Sequence, residues 1–491
     1  MLTVTAGIWY QMRPCLAMLF RRDLNILFEP LRPRIPYGAL LHQWVTARFE
    51  PVKCQRILES FIKDSHLNAE WVSPEAIARG GQVFSEAVLY PDTGPWELVF
   101  FRAHPEAPEQ LAFGVTIPLE EEDVLAAAAL LRQGFGSRER SAFLEEHGHL
   151  GEELLREVLV PEGQLEDVSP PLSREPGIYR RAHASLVVRS GTTSVLVDPL
   201  SSHASMPSLL SLPVPSPADT PDALAITHGH GDHWHLPSVL MHAASPEVKV
   251  LVPHVPRRSL LTTNVFAHEL ALVGQAFEAP AWDSTLRVGD IDIEVLPFYG
   301  EQPTRNKPGL EPSLRNWGNC YRLDAPNFSL VVLADSGMDP AGSMVDVLRE
   351  SVRRRGPVDA VVSCLREFDS PFFGGLIMYF ASLPFSRLQE LYAQHQEGRL
   401  PSITAGPEGV AAVCEAASAR YFLPYAHGFA GFGKRISDVG WGLSEPSEAE
   451  LVGRVRSALR ERGCPTLALD WNCGDLLRLT RGAASVQPYQ G

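Results

Sequence analysis

The sequence predicts an α/β protein in which two β-sheets lie between helices, preceded by a separate α+β N-terminal part. Three observations predict it. The character of the chain changes near residue 170, from mostly helical patterning to a strand–turn–strand rhythm. After that point short apolar runs alternate with helical segments, which suits two sheets covered by helices. Several of those runs, among them ALAITH, FSLVVLAD and YFLPYAH, end in a histidine or an aspartate, the side chains from which metal sites are built.

In order along the chain, CQRILESFIKDS, EEEDVLAAAALLRQGF and RSAFLEEHGHLGEELLREVL carry helical periodicity, and SEAVLY and WELVFFRAH read as strands. A proline-rich break from Ser169 to Pro176 divides the chain into residues 1–172 and 173–491. SLVVRS and TSVLVDP flank a Gly-Thr turn and form a hairpin. LPSVLMHAA predicts a helix, VKVLVPHV a strand and RRSLLTTNVFAHEL a helix. IDIEVLPF, GNCYRL, FSLVVLAD, VDAVVSCL and YFLPYAH follow as strands, with helices at FSRLQELYAQH and VAAVCEAASA.

Chemistry concentrates in Thr227-His228-Gly229-His230-Gly231-Asp232-His233. Four ligand-type side chains fall within six residues at the end of an apolar strand, and the glycines permit a tight path. With 16 histidines in the chain, such a cluster would arise by chance in about one chain in a thousand. Further ligands must come from elsewhere. Asp335 closes the buried-type strand FSLVVLAD, where a charge is costly unless paired or metal-bound. His427 closes YFLPYAH.

With the HxHxDH motif, the VDP turn at Asp198, the AD step at 334–335 and the distal His427, residues 175 to 475 resemble the metallo-β-lactamase superfamily. The resemblance implies an αββα sandwich with a two-metal site at one edge of the sheets. It implies His228 and His230 at one metal, Asp232, His233 and His427 at the other, Asp335 as the bridge, and Asp198 as the group that orients the motif loop. Hydrolases of the superfamily carry a further histidine after a Gly-His step. Here the matching stretch is LPFYGE, and Glu301 stands in that place. His254 and His268 lie nearby but suit surface or core roles.

Exchanging an imidazole for a carboxylate adds a negative charge and a hard oxygen donor, which shifts preference from zinc toward iron or manganese. This glutamate variant, with a sizeable N-terminal part, resembles the family of the di-iron β-hydroxylase of chloramphenicol biosynthesis. That resemblance implies a non-haem di-iron oxygenase holding two Fe ions, with Glu301 and Asp335 central to catalysis. Its substrate would be of the amino-acid type, held on the phosphopantetheine arm of a carrier protein, in secondary metabolism. An external electron donor would be needed, and the N-terminal part would serve dimer formation or carrier docking. The alternative is a dinuclear hydrolase with two Zn ions acting on a lactone, ester or phosphodiester.

The rest of the sequence bounds these expectations. Hydrophobic residues make up 45% and charged residues 21%, an ordinary globular composition. A net charge of −15 and the lack of a long basic block speak against nucleic acid. The seven cysteines form no CxxC pair, and neither a secretory leader nor an apolar span of membrane length is evident, so a cytoplasmic protein is expected. Arg13, Arg21, Arg22, Arg32 and Arg34 could form a basic patch for an acidic carrier, and Arg353, Arg354 and Arg355 read as a solvated helix end. His147 and His149 read as solvated surface. His183 suits a place behind the ligands or in a pocket wall, or equally a packed structural role, and His235 a place behind the ligands or at the surface. The aromatic loop 367–375 and Trp317 suit an ordinary hydrophobic anchor or a wall of the site, and the insert 303–312 is a candidate lid.

Overall fold

Two kinds of apolar patterning build the molecule, helical amphipathicity in its first third and strand alternation after residue 176. The computed structural model describes residues 17–18, 25–31, 37–64, 94–103, 111–133, 135–136, 140–159, 175–181, 183–200, 220–305, 314–368, 370–372, 374–427, 446–480 and 483–488. The strand expected at SEAVLY, the arginines at 13, 21, 22, 32 and 34, and most of the 303–312 insert lie outside them.

The N-terminal region forms its own antiparallel sheet of β1 (Asn25–Pro30), β2 (Trp96–Ala103) and β3 (Leu111–Leu119). Its helices are α1 (Tyr37–Thr46), α2 (Pro51–Asp64) and α3 (Glu121–Arg132). α3 starts with Glu121, Glu122 and Asp123 and ends with Arg132, charges that complement the helix dipole. The single helix expected from Arg140 onward is broken into Arg140–His147, Gly148–Leu150 and Glu152–Val158, because Gly151 adopts φ +125° and cannot continue a helix. His147, expected at the surface, is buried one turn after buried Leu144, whereas His149 is exposed.

The remaining strands are β4 (Gly177–Arg180), β5 (Leu186–Arg189), β6 (Ser194–Val197), β7 (Ala223–Ala225), β8 (Lys249–Leu251) and β9 (Phe277–Glu278). They continue as β10 (Thr285–Val288), β11 (Ile291–Pro297), β12 (Asn319–Asp324), β13 (Ser329–Val332) and β14 (Ala360–Ser363). β15 (Tyr421–Pro424), β16 (Leu467–Ala468), β17 (Leu476–Thr480) and β18 (Ala483–Gln487) complete the set. One sheet has the order β9-β8-β7-β6-β5-β4-β17-β18 and the other β10-β11-β12-β13-β14-β15-β16.

Strand alternation explains how they face each other. Ile178, Leu186, Val188, Val195, Val197 and Ala225 point inward to share a core with Ile293, Val295, Tyr321, Leu323, Leu330 and Val332 of the second sheet. Their neighbours Tyr179, Val187, Leu196 and Leu224 point outward, into a core with α4 (Leu236–Ala243), α5 (Phe266–Leu272), α3 and the N-terminal sheet. The outer face of the second sheet is covered by α6 (Met344–Arg355), α8 (Gly406–Ala416) and α9 (Glu448–Glu461). The result is the expected αββα sandwich, with α7 (Phe385–Gln396) packed against α1 and α2.

Two local expectations change. α5 begins only at Phe266, since Ser259 bridges to Thr262 and its hydroxyl accepts from the Leu261 and Thr262 N–H groups, a competing turn that keeps this stretch non-helical. Arg354 and Arg355 do not simply face water: both pair with buried Glu294 on β11, pinning α6 to the second sheet. His235 is buried where α4 starts; its Nδ1 accepts from the Ser238 N–H and its Nε2 donates to the Ile26 carbonyl at 2.7 Å, tying α4 to β1.

Strands β6 and β7 run parallel to each other, as do β13, β14 and β15. β11 runs the same way as β13, both being antiparallel to β12. All these carboxyl ends therefore reach one edge, where Asp198, His228, Glu301, Asp335 and His427 follow them. Leu196→Ala removes a buried contact between the first sheet and the N-terminal region, and is expected to lower unfolding stability in urea by about 2–5 kcal/mol.

Candidate metal centre

The motif loop is held from beneath by one buried carboxylate. Asp198, at φ +42° after β6, accepts from the Thr227 N–H through Oδ1 at 2.7 Å and from the Thr227 hydroxyl through Oδ2 at 2.6 Å. The same Oδ2 accepts from His233 Nδ1 at 2.8 Å and from the Tyr425 hydroxyl at 3.0 Å. These bonds decide tautomers. With its Nδ1 proton given to Asp198, the neutral form of His233 carries its lone pair on Nε2. Thr227 Oγ1, whose own proton goes to Asp198, accepts from His228 Nδ1 at 3.1 Å and leaves Nε2 of His228 as an acceptor too. Both Nε2 atoms point into the site.

Glu301 arrives from the second sheet through a turn that requires Gly300. At φ +109°, a Cβ there would lie 2.5 Å from Gly337 N and 2.8 Å from the Ile403 carbonyl. Glu301 itself takes φ +51°, uncommon for a non-glycine residue, and its N–H donates to the Ile403 carbonyl at 3.1 Å. Its carboxylate reaches the first two motif histidines, with Oε2 3.2 Å from His228 Nε2 and Oε1 3.0 Å from His230 Nδ1. Asn316 Nδ2 donates to Oε2 at 2.9 Å. His230 Nε2 lies 3.0 Å from the Tyr379 hydroxyl.

Asp335 sits between the two halves. Its Oδ2 lies 3.2 Å from His233 Nε2 and 3.9 Å from His228 Nε2. Asp232 Oδ2 lies 3.8 Å from His233 Nε2 and accepts from His183 Nε2 at 2.9 Å. Three groups of potential ligand atoms result: His228, His230 and Glu301; His228, His233 and Asp335; and His183, Asp232 and His233. Six of the seven side chains expected from the sequence are thus brought together. The seventh, His427, is buried at the end of β15 but joins none of these groups. His254 is exposed, His268 half-buried, and neither takes part.

The donor set fits cations. Three carboxylates and four imidazoles meet there, and His233 Nε2 and Asp335 Oδ1 find no hydrogen-bond partner among the described residues. Electrostatics without a cation are accordingly strained. Burial, followed by the neighbouring His233 and His230, pushes the His228 pKa well below its ordinary value and keeps that imidazole neutral. Burial opposes the charged form of His233, but Asp232 and Asp335 outweigh it and hold its pKa well above normal. Burial likewise opposes ionised Asp232 and Asp335; in both the nearby His233 wins, so both carboxyls stay below the usual range. For Glu301 burial prevails over His230, and its pKa is pushed up to about 7.

Sequence reasoning did not single out Asn316 or Tyr379. Asn316 is adjacent to Trp317, whose ring instead packs on Trp282 at 5.5 Å, and Tyr379 follows the aromatic loop. In that loop Phe372 faces Phe49 at 6.1 Å and serves as an anchor to the N-terminal helices.

Comparison with known proteins agrees with this architecture. Residues 193–366 match the family model described as the beta-lactamase superfamily domain. Among solved structures, CmlA, a diiron beta-hydroxylase from Streptomyces venezuelae, aligns at a TM-score of 0.57 with 15% identity, over 94% of this chain and 100% of that one. A point mutant of CmlA aligns at 0.54 with 14% identity, over 92% and 98%. An isothiocyanate hydrolase from Delia radicum gut bacteria aligns at 0.40 with 14% identity, over 62% and 98%. No curated protein sequence matches. The two-sheet region has the metallo-β-lactamase fold, and the alignment with CmlA extends over it and most of the N-terminal region. Among the described residues no helix is long and apolar enough to cross a membrane.

The Glu301 pKa gives a pH prediction for protein stripped of metal. Glu301 holds its proton to higher pH folded than unfolded, so it stabilises the metal-free fold below 4.5 and loses that contribution as pH rises through about 7. Thermal unfolding of the stripped protein should therefore show a melting temperature that falls between pH 5 and 8. Glu301→Gln should flatten that slope; a slope unchanged by the substitution would assign it to other groups.

Proposed function

We propose that this chain is a non-haem di-iron oxygenase that hydroxylates an amino-acid-type substrate, presented by a carrier protein in secondary metabolism. The observation that carries this reading is Glu301, a buried carboxylate held by Asn316 against His228 and His230 in the place where hydrolases of this fold use an imidazole. Likeness to the diiron CmlA along nearly the whole chain supports it.

In this reading His228, His230 and Glu301 would hold one iron and Asp232, His233 and His427 the other, with Asp335 contributing a carboxylate between them. Irons so held would supply the redox chemistry for O₂. Hydroxylation consumes a C–H bond, O₂, two electrons and two protons and yields an alcohol and water, so an external electron donor is required. The protein's own groups prepare the site. Asp198 and Thr227 fix the tautomers of His233 and His228, leaving each Nε2 free to ligate. The Asn316 amide draws Oε2 of Glu301 to one side, leaving Oε1 as the oxygen nearest His230. An oxygen-rich donor set favours iron over zinc, and three carboxylates favour the more oxidised metal electrostatically.

Protein expressed with both iron and zinc available should carry about two irons per chain and turn over with O₂ and a reductant. Glu301→His should lose roughly 10- to 100-fold in hydroxylation and take up zinc preferentially, because the Asn316 amide then faces an imidazole rather than a carboxylate. Elemental analysis alongside product assay tests both. Two zincs in the native protein, with ester, lactone or phosphodiester turnover, would instead establish the hydrolase.

A further inference from the structure

Tyr379 and Phe380 are adjacent in sequence yet belong to different cores. They sit in a 3₁₀ turn, Gly374–Ser382, that wedges between the metal-bearing unit and the N-terminal helices. Tyr379 is 1% exposed and packs with the core of the two sheets. Its hydroxyl lies 3.0 Å from His230 Nε2. Phe380 points the other way, into a cluster with Leu40, Leu41, Trp44 and Leu58 of α1 and α2. Trp44 meets Phe380 edge-on at 5.0 Å and Phe385 at 4.9 Å. Its indole N–H finds no acceptor among the described residues, so ring packing alone holds it there, at the cost of an unsatisfied donor.

Hydrogen bonds within and just after the turn hold its shape. Ser382 Oγ donates to the Tyr379 carbonyl at 2.7 Å and the Leu383 N–H to the Phe380 carbonyl at 3.2 Å. Leu376 interrupts its helical geometry. From outside, Phe380 and Ala381 seat it in the cluster with α1 and α2 on one face, and Leu376 and Tyr379, with His230, seat it on the other.

We propose that α1 and α2 are a working part of the metal centre: by seating this turn they hold Tyr379 where its hydroxyl oxygen accepts the Nε2 proton of His230. That bond fixes the tautomer in which Nδ1, 3.0 Å from Glu301 Oε1, carries the lone pair. Asp198 and Thr227 do this for the other two motif histidines from within the sandwich; for His230 the support comes from Tyr379 and, through Phe380, from the N-terminal region. Tyr379 is thus a positioning residue for one metal and not for the other. The inference rests on His230 being a metal ligand.

Cobalt(II) titration of the metal-stripped, full-length protein tests it, followed by visible absorption and calorimetry, with circular dichroism and melting temperature confirming the fold. Wild type should bind two cobalt ions. Tyr379→Phe, which removes only the hydroxyl, should weaken one of the two sites about 10- to 100-fold and leave the other unchanged. Trp44→Leu and the milder Phe380→Leu should weaken that same site in folded protein. Two unaltered sites in Tyr379→Phe, or equal weakening of both, would overturn the role of Tyr379. Unaltered sites in folded Trp44→Leu and Phe380→Leu would overturn that of the helices. Failure of wild type to bind cobalt would sink the metal-centre reading itself, a different result from either.

Discussion

Crowded charge at the carboxyl ends of the strands governs this molecule. Asp232, Glu301 and Asp335 lie in one buried site with His228, His230 and His233, at separations of 3.0 to 3.9 Å. Carboxylates placed together out of water repel one another and lose hydration, so such an arrangement is stable only when cations or protons compensate. The shifted pKa values are the protein's response without a cation, with protons pushed onto Glu301 and His233. Binding two cations would release those protons, coupling metal affinity to pH.

The fold exists to impose that crowding. Parallel strands on both sides of the sandwich send their ends to one edge, and the sheets are stitched there by the bridge of His228 to Gly318 and by the Asn319 N–H donating to the Thr227 carbonyl at 2.6 Å. Positive-φ positions at Asp198, Gly300, Glu301 and Ala334 mark where the backbone is bent to aim a ligand or its support. Such strain is sustained by the large cores on both faces of the first sheet, one of which is shared with the N-terminal region.

Much of the site was legible in the sequence for a simple reason. The motif packs His228, His230, Asp232 and His233 into one loop, and Asp335 closes an apolar strand where an unpaired charge would be costly. Glu301 could be placed by its order along the chain after IDIEVLPF. The supports were not legible. Tyr379 lies 149 residues from His230 and Asn316 lies 15 from Glu301, with no periodicity linking either pair. A single tyrosine or asparagine carries no local pattern; only the packing of a distant turn or loop gives it a role. His147 failed for the opposite reason. Its acidic neighbours suggested water, but its spacing from Leu144 turned it inward.

The most direct test is anomalous diffraction from crystals of the iron-loaded protein, collected on both sides of the iron absorption edge. Two iron peaks about 3.5–4 Å apart are expected. One should lie against His228, His230 and Glu301, the other against Asp232 and His233, with Asp335 between them. A single peak, or two peaks with the Glu301 carboxylate turned away and another side chain in its place, would contradict the account.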